Sequence, residues 1–332
     1  MKGEATVVKN AGSHFLLSCL PEWELFPAVL RGKIRLKGSS ATNPVAVGDV
    51  VSWEWDETGG PGSVAEDFGN DKPCSAPPAV AGKPAVITGI RERKNCLIRK
   101  STNLSRQSHV IAANVDEAFI IVSLYFPEIK LPFLDRILLT CEVYNVKPTI
   151  VLNKLDLYRD QAPESIKLFH EIYESAGYRI IETSAVTGEG INELREACKG
   201  KICLLSGESG VGKSSLVRAI DPKLDLKVGD ISEVHLQGKH TTSLYEMYRA
   251  ECGAYIIDTP GLRGFGLVDL KKEEIALYFP EMFKLSRNCR FSPCTHTHEP
   301  GCAVKAAVED GSISPERYSS YLGMLEEDSK FR

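Results

Sequence analysis

The sequence predicts a multidomain chain: a small β-barrel first, an α/β domain around a phosphate-binding loop second, and a short α-helical, metal-binding module last. Three observations predict it. Up to about residue 106, short strands alternate with turns. Beyond that, short apolar runs alternate with amphipathic stretches, the pattern of a parallel sheet covered by helices on both faces. Near the end, three cysteines and a histidine fall close together. A chain of 332 residues has room for two or three such domains.

Composition narrows the setting. A chain that is 43% hydrophobic and 25% charged reads as an ordinary soluble globular protein. Residues Met1 to Asn10 hold no apolar stretch of signal-peptide length, and the longest apolar run, around Ala118–Phe126, is too short to span a bilayer. The expectation is a cytoplasmic monomer with no membrane partner. Ten cysteines do not alter this. Cys19, Cys96, Cys141, Cys198, Cys203 and Cys252 stand singly in apolar surroundings, where an intracellular thiol acts as a small hydrophobe. Cys74 lies in a Pro/Gly-rich stretch.

The barrel is read over 1–106. Its strands are expected at Ala5–Lys9, His14–Cys19, Ala28–Leu36, Val47–Trp53, Ala85–Ile90 and Asn95–Arg99, a count that suits an OB-like barrel. Residues 56–84 are rich in Gly, Pro, Ala and Asp without apolar period and read as an inserted loop. Charge is uneven: 1–106 holds 14 Lys/Arg against 11 Asp/Glu, and five of those acids sit in the insertion with only two bases. The barrel proper is therefore basic on an otherwise acidic chain. Trp53 and Trp55, two apart on a strand, are read as core in preference to base-stacking.

The α/β domain is read over 107–275. Expected strands are Glu117–Leu124, Pro148–Leu152, Arg179–Glu182, Lys201–Leu205 and Ala254–Ile257, separated by helices at Leu134–Tyr144, Ser165–Ala176 and Ile191–Cys198. Gly207-Glu208-Ser209-Gly210-Val211-Gly212-Lys213-Ser214, with Ser215 following, joins a strand to a helix. Glycines there let backbone N–H groups wrap a β-phosphate at a helix N-terminus. Lys213 would reach the β- and γ-phosphates, and the Ser214 hydroxyl would ligate Mg²⁺.

Asn153-Lys154-Leu155-Asp156 follows another strand. The Asp156 carboxylate can accept from the N1–H and N2–H₂ edge of guanine. Adenine lacks that donor pair, so a base-reading carboxylate would be left unpaired against it. Ser184-Ala185 would add a backbone N–H to guanine O6. Asp258-Thr259-Pro260-Gly261 ends a strand; Asp258 would hold Mg²⁺ through a water, and the Gly261 amide would meet the γ-phosphate. Between these lie Gly238-Lys239-His240-Thr241-Thr242. Thr241, favoured over Thr242, would supply a further Mg²⁺ contact, and His240 is read as general base, phosphate contact or plain loop residue. Ras-like proteins place a water-orienting Gln directly after the glycine at position 261, whereas here Leu262 follows. That predicts slow intrinsic hydrolysis needing a partner, or a water oriented by His240 or Arg263.

The last module, 276–332, carries Cys289, Cys294, His296 and Cys302. Three thiolates and an imidazole make a closed tetrahedral set for one structural Zn²⁺, with His298 as a competing ligand.

The base-reading motif precedes the phosphate loop, which precedes Thr241 and Asp258–Gly261. This is a circularly permuted order of the G-domain motifs. With the Cys/His cluster and the adjoining Glu299-Pro300-Gly301, the chain closely resembles the RsgA family of circularly permuted, ribosome-associated GTPases over nearly its whole length. The resemblance implies an OB-fold domain, GTP hydrolysis to GDP and phosphate stimulated by the small ribosomal subunit, and a part in late maturation of that subunit. Arg31, Lys33, Arg35, Lys37, Arg91, Arg93, Lys94, Arg99 and Lys100 would then face rRNA phosphates. A nucleotide-gated RNA-binding adaptor with incidental hydrolysis is the second reading. An ATP-using enzyme is disfavoured by Asp156. The insertion 56–84 is long for the family's barrel, and the tail after Arg317 is short and acidic.

Overall fold

The computed structural model describes residues 1–30, 44–55, 84–100, 108–224, 245–258 and 270–330. Its first strand, β1 (Lys2–Ala11), is long and changes partners along its length. Lys2–Thr6 run antiparallel to β4 (Val50–Glu54), and Thr6–Ala11 pair with β2 (His14–Ser18), with a register shift between Val7 and Lys9. Such a bulge bends a strand and lets it serve two neighbours. β2 pairs with β3 (Leu25–Leu30), β3 runs parallel to β5 (Ala85–Ile90), and β5 returns antiparallel to β4. Among the described residues these pairings close a five-stranded ring. Val7, Phe15, Leu17, Ala28, Val51 and Ile87 fill it. Trp53 is buried against Phe26, and Trp55 packs edge-on to Trp53 at 5.9 Å, as the core reading expected. The insertion 56–84 falls outside the described residues except for Pro84.

A hairpin follows, β6 (Cys96–Lys100) with β7 (Ser108–Ala113). The sequence reading placed no strand at 108–113. The chain then divides by its contacts into two interleaved compact units. One comprises Met1–Asp116, Cys198–Leu205 and Asp221–Gly264; the other comprises Glu117–Ala197, Ser206–Ile220 and Phe265–Arg332.

In the second unit, β8 (Glu117–Val122), β9 (Lys147–Leu152) and β10 (Arg179–Glu182) are parallel. All six residues of β8 are buried, Glu117 included, and Ala118–Val122 read as an unbroken apolar run. The helices α1 (Leu131–Val143), α2 (Pro163–Ser175), α3 (Ile191–Cys198) and α4 (Lys213–Ile220) alternate with the strands. α1 and α2 each begin a turn or so earlier than the apolar period suggested, because Pro132 and Pro163 sit in their first turns, where no N–H is needed. In the first unit, β11 (Ile202–Gly207) runs parallel to β13 (Tyr255–Asp258), and β12 (Tyr245–Arg249) is antiparallel to β13. β12 also pairs its Tyr245 and Glu246 with Asn10 and Lys9 of β1. β12 was missed in the sequence because it carries little apolar alternation.

The chain ends in α5 (Lys272–Ile275), α6 (Pro280–Ser286), α7 (Ala303–Glu309) and α8 (Pro315–Lys330). These helices share a core with Leu139 of α1 through Ile275, Phe279, Met282, Val304 and Tyr321. Among the described residues, no helix is long and apolar enough to cross a membrane.

Candidate functional site

The phosphate loop hangs between the end of β11 and the first residue of α4. Lys213 opens that helix and folds its ammonium back over the loop, donating to the Gly207 carbonyl at 2.7 Å and the Glu208 carbonyl at 2.6 Å. This places a cation at a helix N-terminus, where the first backbone N–H groups have no partner in the helix, an anion-binding arrangement. Ser209, Gly210 and Ser215 are exposed, and Gly207, Glu208, Gly212 and Ser214 half-buried; only Val211 is fully buried.

The base-reading motif braces this loop. The Asn153 side chain, 1% exposed, donates from Nδ2 to the Val211 carbonyl at 2.8 Å and accepts at Oδ1 from the Thr183 hydroxyl at 3.1 Å. One amide thus ties three loops together. Gly212, with φ 98°, is required here because a Cβ would strike Asn153 Nδ2. Lys154 takes a left-handed conformation, φ 66°, and its ammonium donates to the Phe126 carbonyl at 2.5 Å. Asp156 is exposed, and its Oδ1 accepts from the buried Ser184 hydroxyl at 2.5 Å. The same hydroxyl oxygen accepts from the Val186 and Thr187 amides, shaping the turn that carries Ala185. Asn153, Lys154, Asp156, Ser184, Ala185 and the phosphate loop therefore converge within one compact unit.

Asp258 is the last residue of β13, opposite Leu205 and Glu246 in register. Its side chain lies outside the described residues, as do His240, Thr241, Thr242, Gly261, Leu262 and Arg263.

The four metal-ligand candidates meet. The Cys289, Cys294 and Cys302 sulfurs and one His296 ring nitrogen all lie within 4.8 Å of one another. His296 Nδ1 is 3.3 Å from Cys302 Sγ and 3.6 Å from Cys289 Sγ, and those two sulfurs are 3.9 Å apart. Ligand–ligand spacings of this size are what a tetrahedral ion with bonds of about 2.0–2.3 Å requires, so the residues fit zinc. Burial, together with the neighbouring Cys302 and Cys289 thiols, pushes the Cys294 thiol up to about 12. A bound cation favours the thiolate form that ligates it. His298 stands outside the cluster, exposed, with Nδ1 at 2.9 Å from the Thr297 hydroxyl.

A sequence model described as RsgA GTPase matches residues 90–268, more than half of the chain. The chain belongs to the RsgA GTPase family. A relative from Bacteroides fragilis named small ribosomal subunit biogenesis GTPase RsgA is 42% identical over 334 residues, covering 100% of this chain and 99% of its own. One of the same name from Flavobacterium psychrophilum is 43% identical over 324 residues, covering 98% and 93%. Among solved structures, YjeQ from Thermotoga maritima matches with a TM-score of 0.77 and 32% identity over 100% of both chains. YloQ, described as a circularly permuted GTPase, matches with a TM-score of 0.72 and 27% identity over 100% of this chain and 96% of its own. The protein is thus a GTP hydrolase of multidomain architecture. A β-barrel precedes a circularly permuted α/β G domain, and a helical module with a zinc-compatible cluster follows.

Within this RsgA-family chain, the structure gives several residues roles that the sequence did not assign them. Arg317 on α8 is 1% exposed; it donates to Asp135 of α1 at 2.7 Å and to Glu281 of α6 at 2.8 and 3.1 Å, under the Phe279 ring at 4.6 Å. Burial drives the Asp135 carboxyl up, and the Arg317 charge only partly offsets it. On the same helix, the Tyr318 and Tyr321 hydroxyls donate to the His296 and Thr295 carbonyls, both at 2.6 Å. Glu299 accepts from the Thr295 amide and hydroxyl and from the Thr297 and His298 amides. Burial works against its ionised form, but those hydrogen bonds win and hold its carboxyl well below the usual range. Only pairwise geometry reveals such roles.

The barrel's basic residues need one correction. Arg93 is not available to a phosphate: it is locked onto the buried Asp49 at 2.6 Å and onto the Pro44 carbonyl. Its charge neutralises a carboxylate that the fold has taken from water. Arg91 is ion-paired with Glu4, and Lys94 is exposed, 3.7 Å from Asp116. Arg31, Lys33, Arg35 and Lys37, and the side chains of Arg99 and Lys100, lie outside the described residues.

Proposed function

We propose that this GTP hydrolase acts in biogenesis of the small ribosomal subunit, binding the subunit and its rRNA and turning over GTP faster when bound. One observation carries the reading: the Bacteroides fragilis relative named for that role matches across the whole chain, barrel and metal module included. Late maturation of the subunit is the stage the reading assigns. Its working form is a cytoplasmic monomer organised as an RNA-binding barrel (1–106, with the insertion 56–84), a G domain (107–275) and a zinc module (276–332).

In this reading Asp156 accepts from the guanine N1–H and N2–H₂ edge, and the Ala185 amide donates to O6. The amides of Gly207 to Ser215 and the Lys213 ammonium hold the β- and γ-phosphates. A water attacks the γ-phosphorus, the bond to the β–γ bridging oxygen breaks, and GDP and phosphate leave. Ser214, Thr241 and Asp258 would hold Mg²⁺, which neutralises charge on the phosphate oxygens. The Gly261 amide senses the γ-phosphate, and His240 or Arg263 orients the attacking water. Cys289, Cys294, His296 and Cys302 hold one structural Zn²⁺. Purified small subunits added to the protein should raise GTP turnover, and a rate that stays at the basal level overturns the reading.

Leu262 favours a second reading, a nucleotide-gated RNA-binding adaptor, since an apolar side chain there orients no water. A Lys213→Ala chain that binds and releases subunits on the normal schedule would support it, while one trapped on or off the subunit supports the hydrolase cycle.

A further inference from the structure

We propose that Arg159 is a positioning residue for guanine binding, holding the two base-reading loops together through Glu182 and Glu189. The proposal rests on the reading of Asp156 and Ser184-Ala185 as the base contacts. Arg159 lies on the loop that carries Asp156, its backbone N–H donating to the Leu155 carbonyl at 2.9 Å. Its side chain crosses to the other loop, where Nη2 donates to Glu182 Oε2 at 2.7 Å and to Glu189 Oε1 at 2.6 Å.

Those carboxylates stand on the two stalks of the Ser184 turn. Glu182 is the last residue of β10, and the Glu189 carbonyl accepts from the Ser184 amide at 3.0 Å, closing the turn. The neck is narrow. At Gly190, φ 69°, a Cβ would collide with the Glu182 carbonyl oxygen. Two like charges facing across such a neck repel. One guanidinium nitrogen, with a proton for each, offsets both and does so from the neighbouring loop. His170 of α2 takes the remaining Glu182 oxygen, with Nε2 at 2.9 Å from Oε1, and so fixes how that carboxylate faces Arg159.

The path from this clamp to the base is short. Ser184 follows Glu182 by two residues and donates to Asp156, and Ala185 comes next. Guanine needs the Asp156 carboxylate and the Ala185 amide at a fixed separation, one accepting from N1–H and N2–H₂, the other donating to O6. Opening the neck changes that separation while leaving the Lys213 contacts to Gly207 and Glu208 in place. Arg159, Glu182 and Glu189 are 43%, 29% and 48% exposed, so water screens the pairs and the effect is moderate.

The test is GDP binding by the full-length chain, with GTP turnover measured alongside. Arg159→Met should weaken GDP by about fivefold and raise KM for GTP while leaving kcat unchanged. Adding Glu189→Gln to that chain removes the repulsion and should recover most of the affinity, and Arg159→Lys should retain part of it. The melting temperature should stay put. Unchanged GDP affinity in Arg159→Met overturns the proposal, as does a loss that Glu189→Gln leaves in place. Asp156→Ala separates the two levels. If it leaves GDP affinity intact, the base-reading assignment falls and this proposal with it. If it abolishes binding while Arg159→Met has no effect, only the clamp is wrong.

Discussion

The nucleotide loops and the metal loop solve the same problem, holding irregular backbone still, but present different groups. Around the base and phosphate loops the fasteners are hydrogen bonds that cross between loops: Asn153 and Thr183 join neutral groups, Ser184 donates to Asp156, and the Lys154 and Lys213 ammoniums donate to carbonyls. In the metal loop, the Glu299 carboxylate and the Tyr318 and Tyr321 hydroxyls fix the backbone just as firmly. What that backbone presents is three thiols and an imidazole at spacings that suit one tetrahedral cation. The first is braced by bonds that cross between its loops, and the second gathers ligands whose spacing suits one cation.

Removing the two ligands should break this comparison most sharply if it is wrong. Stripping metal with a strong chelator should unfold the module around 289–302, since structural zinc contributes on the order of 10 kcal/mol to folding. Stripping nucleotide should leave amide exchange at Asn153 and Ser184 slow. Equal loosening at both places, read by hydrogen exchange, would erase the distinction. Next in size is Arg317→Met. It strands Asp135 and Glu281 in the core and should cost about 3–5 kcal/mol, seen as a lowered melting temperature. Replacing all three by apolar residues should restore most of it, and failure to do so would mean that the charges do more than satisfy each other. Smallest is the loop bracing itself. Glu299→Gln should weaken metal by about tenfold in chelator competition, because an outer group that orients a ligand loop is typically worth that much or more. Thr183→Val, losing one neutral hydrogen bond, should weaken GDP by about fivefold. A reversed order would put the rigidity of the two loops on the same footing.

What could be read from the sequence follows the distance over which each feature is encoded. The phosphate loop, Asn153–Asp156 and the Cys/His cluster are written in consecutive residues, so residue type and spacing carried them. Choosing His296 over His298 required the structure, because both spacings are allowed and only the turn held by Glu299 decides which ring faces inward. Arg93 looked like another basic barrel residue until its partner Asp49 appeared beneath it. Arg317 and Asp135 lie far apart in the chain, and nothing local marks either. The same holds for Arg159, which reads as one more surface charge in a loop. β12 was missed for a related reason: its pairing with β1 and β13, not an apolar period of its own, makes it a strand.

That pairing has a consequence for how the protein is made. Lys9 and Asn10 of β1 find their partners at Glu246 and Tyr245. The barrel can close on itself from neighbours synthesised early, but the second half of its first strand keeps an open side until most of the chain has emerged. Contacts of such sequence separation are slow to form and leave strand surface exposed while they wait. During synthesis, therefore, the barrel should be the first region to reach its shape and among the last to be fully covered. Slowing translation just before Tyr245 should lengthen the interval in which β1 is open to pairing with another chain.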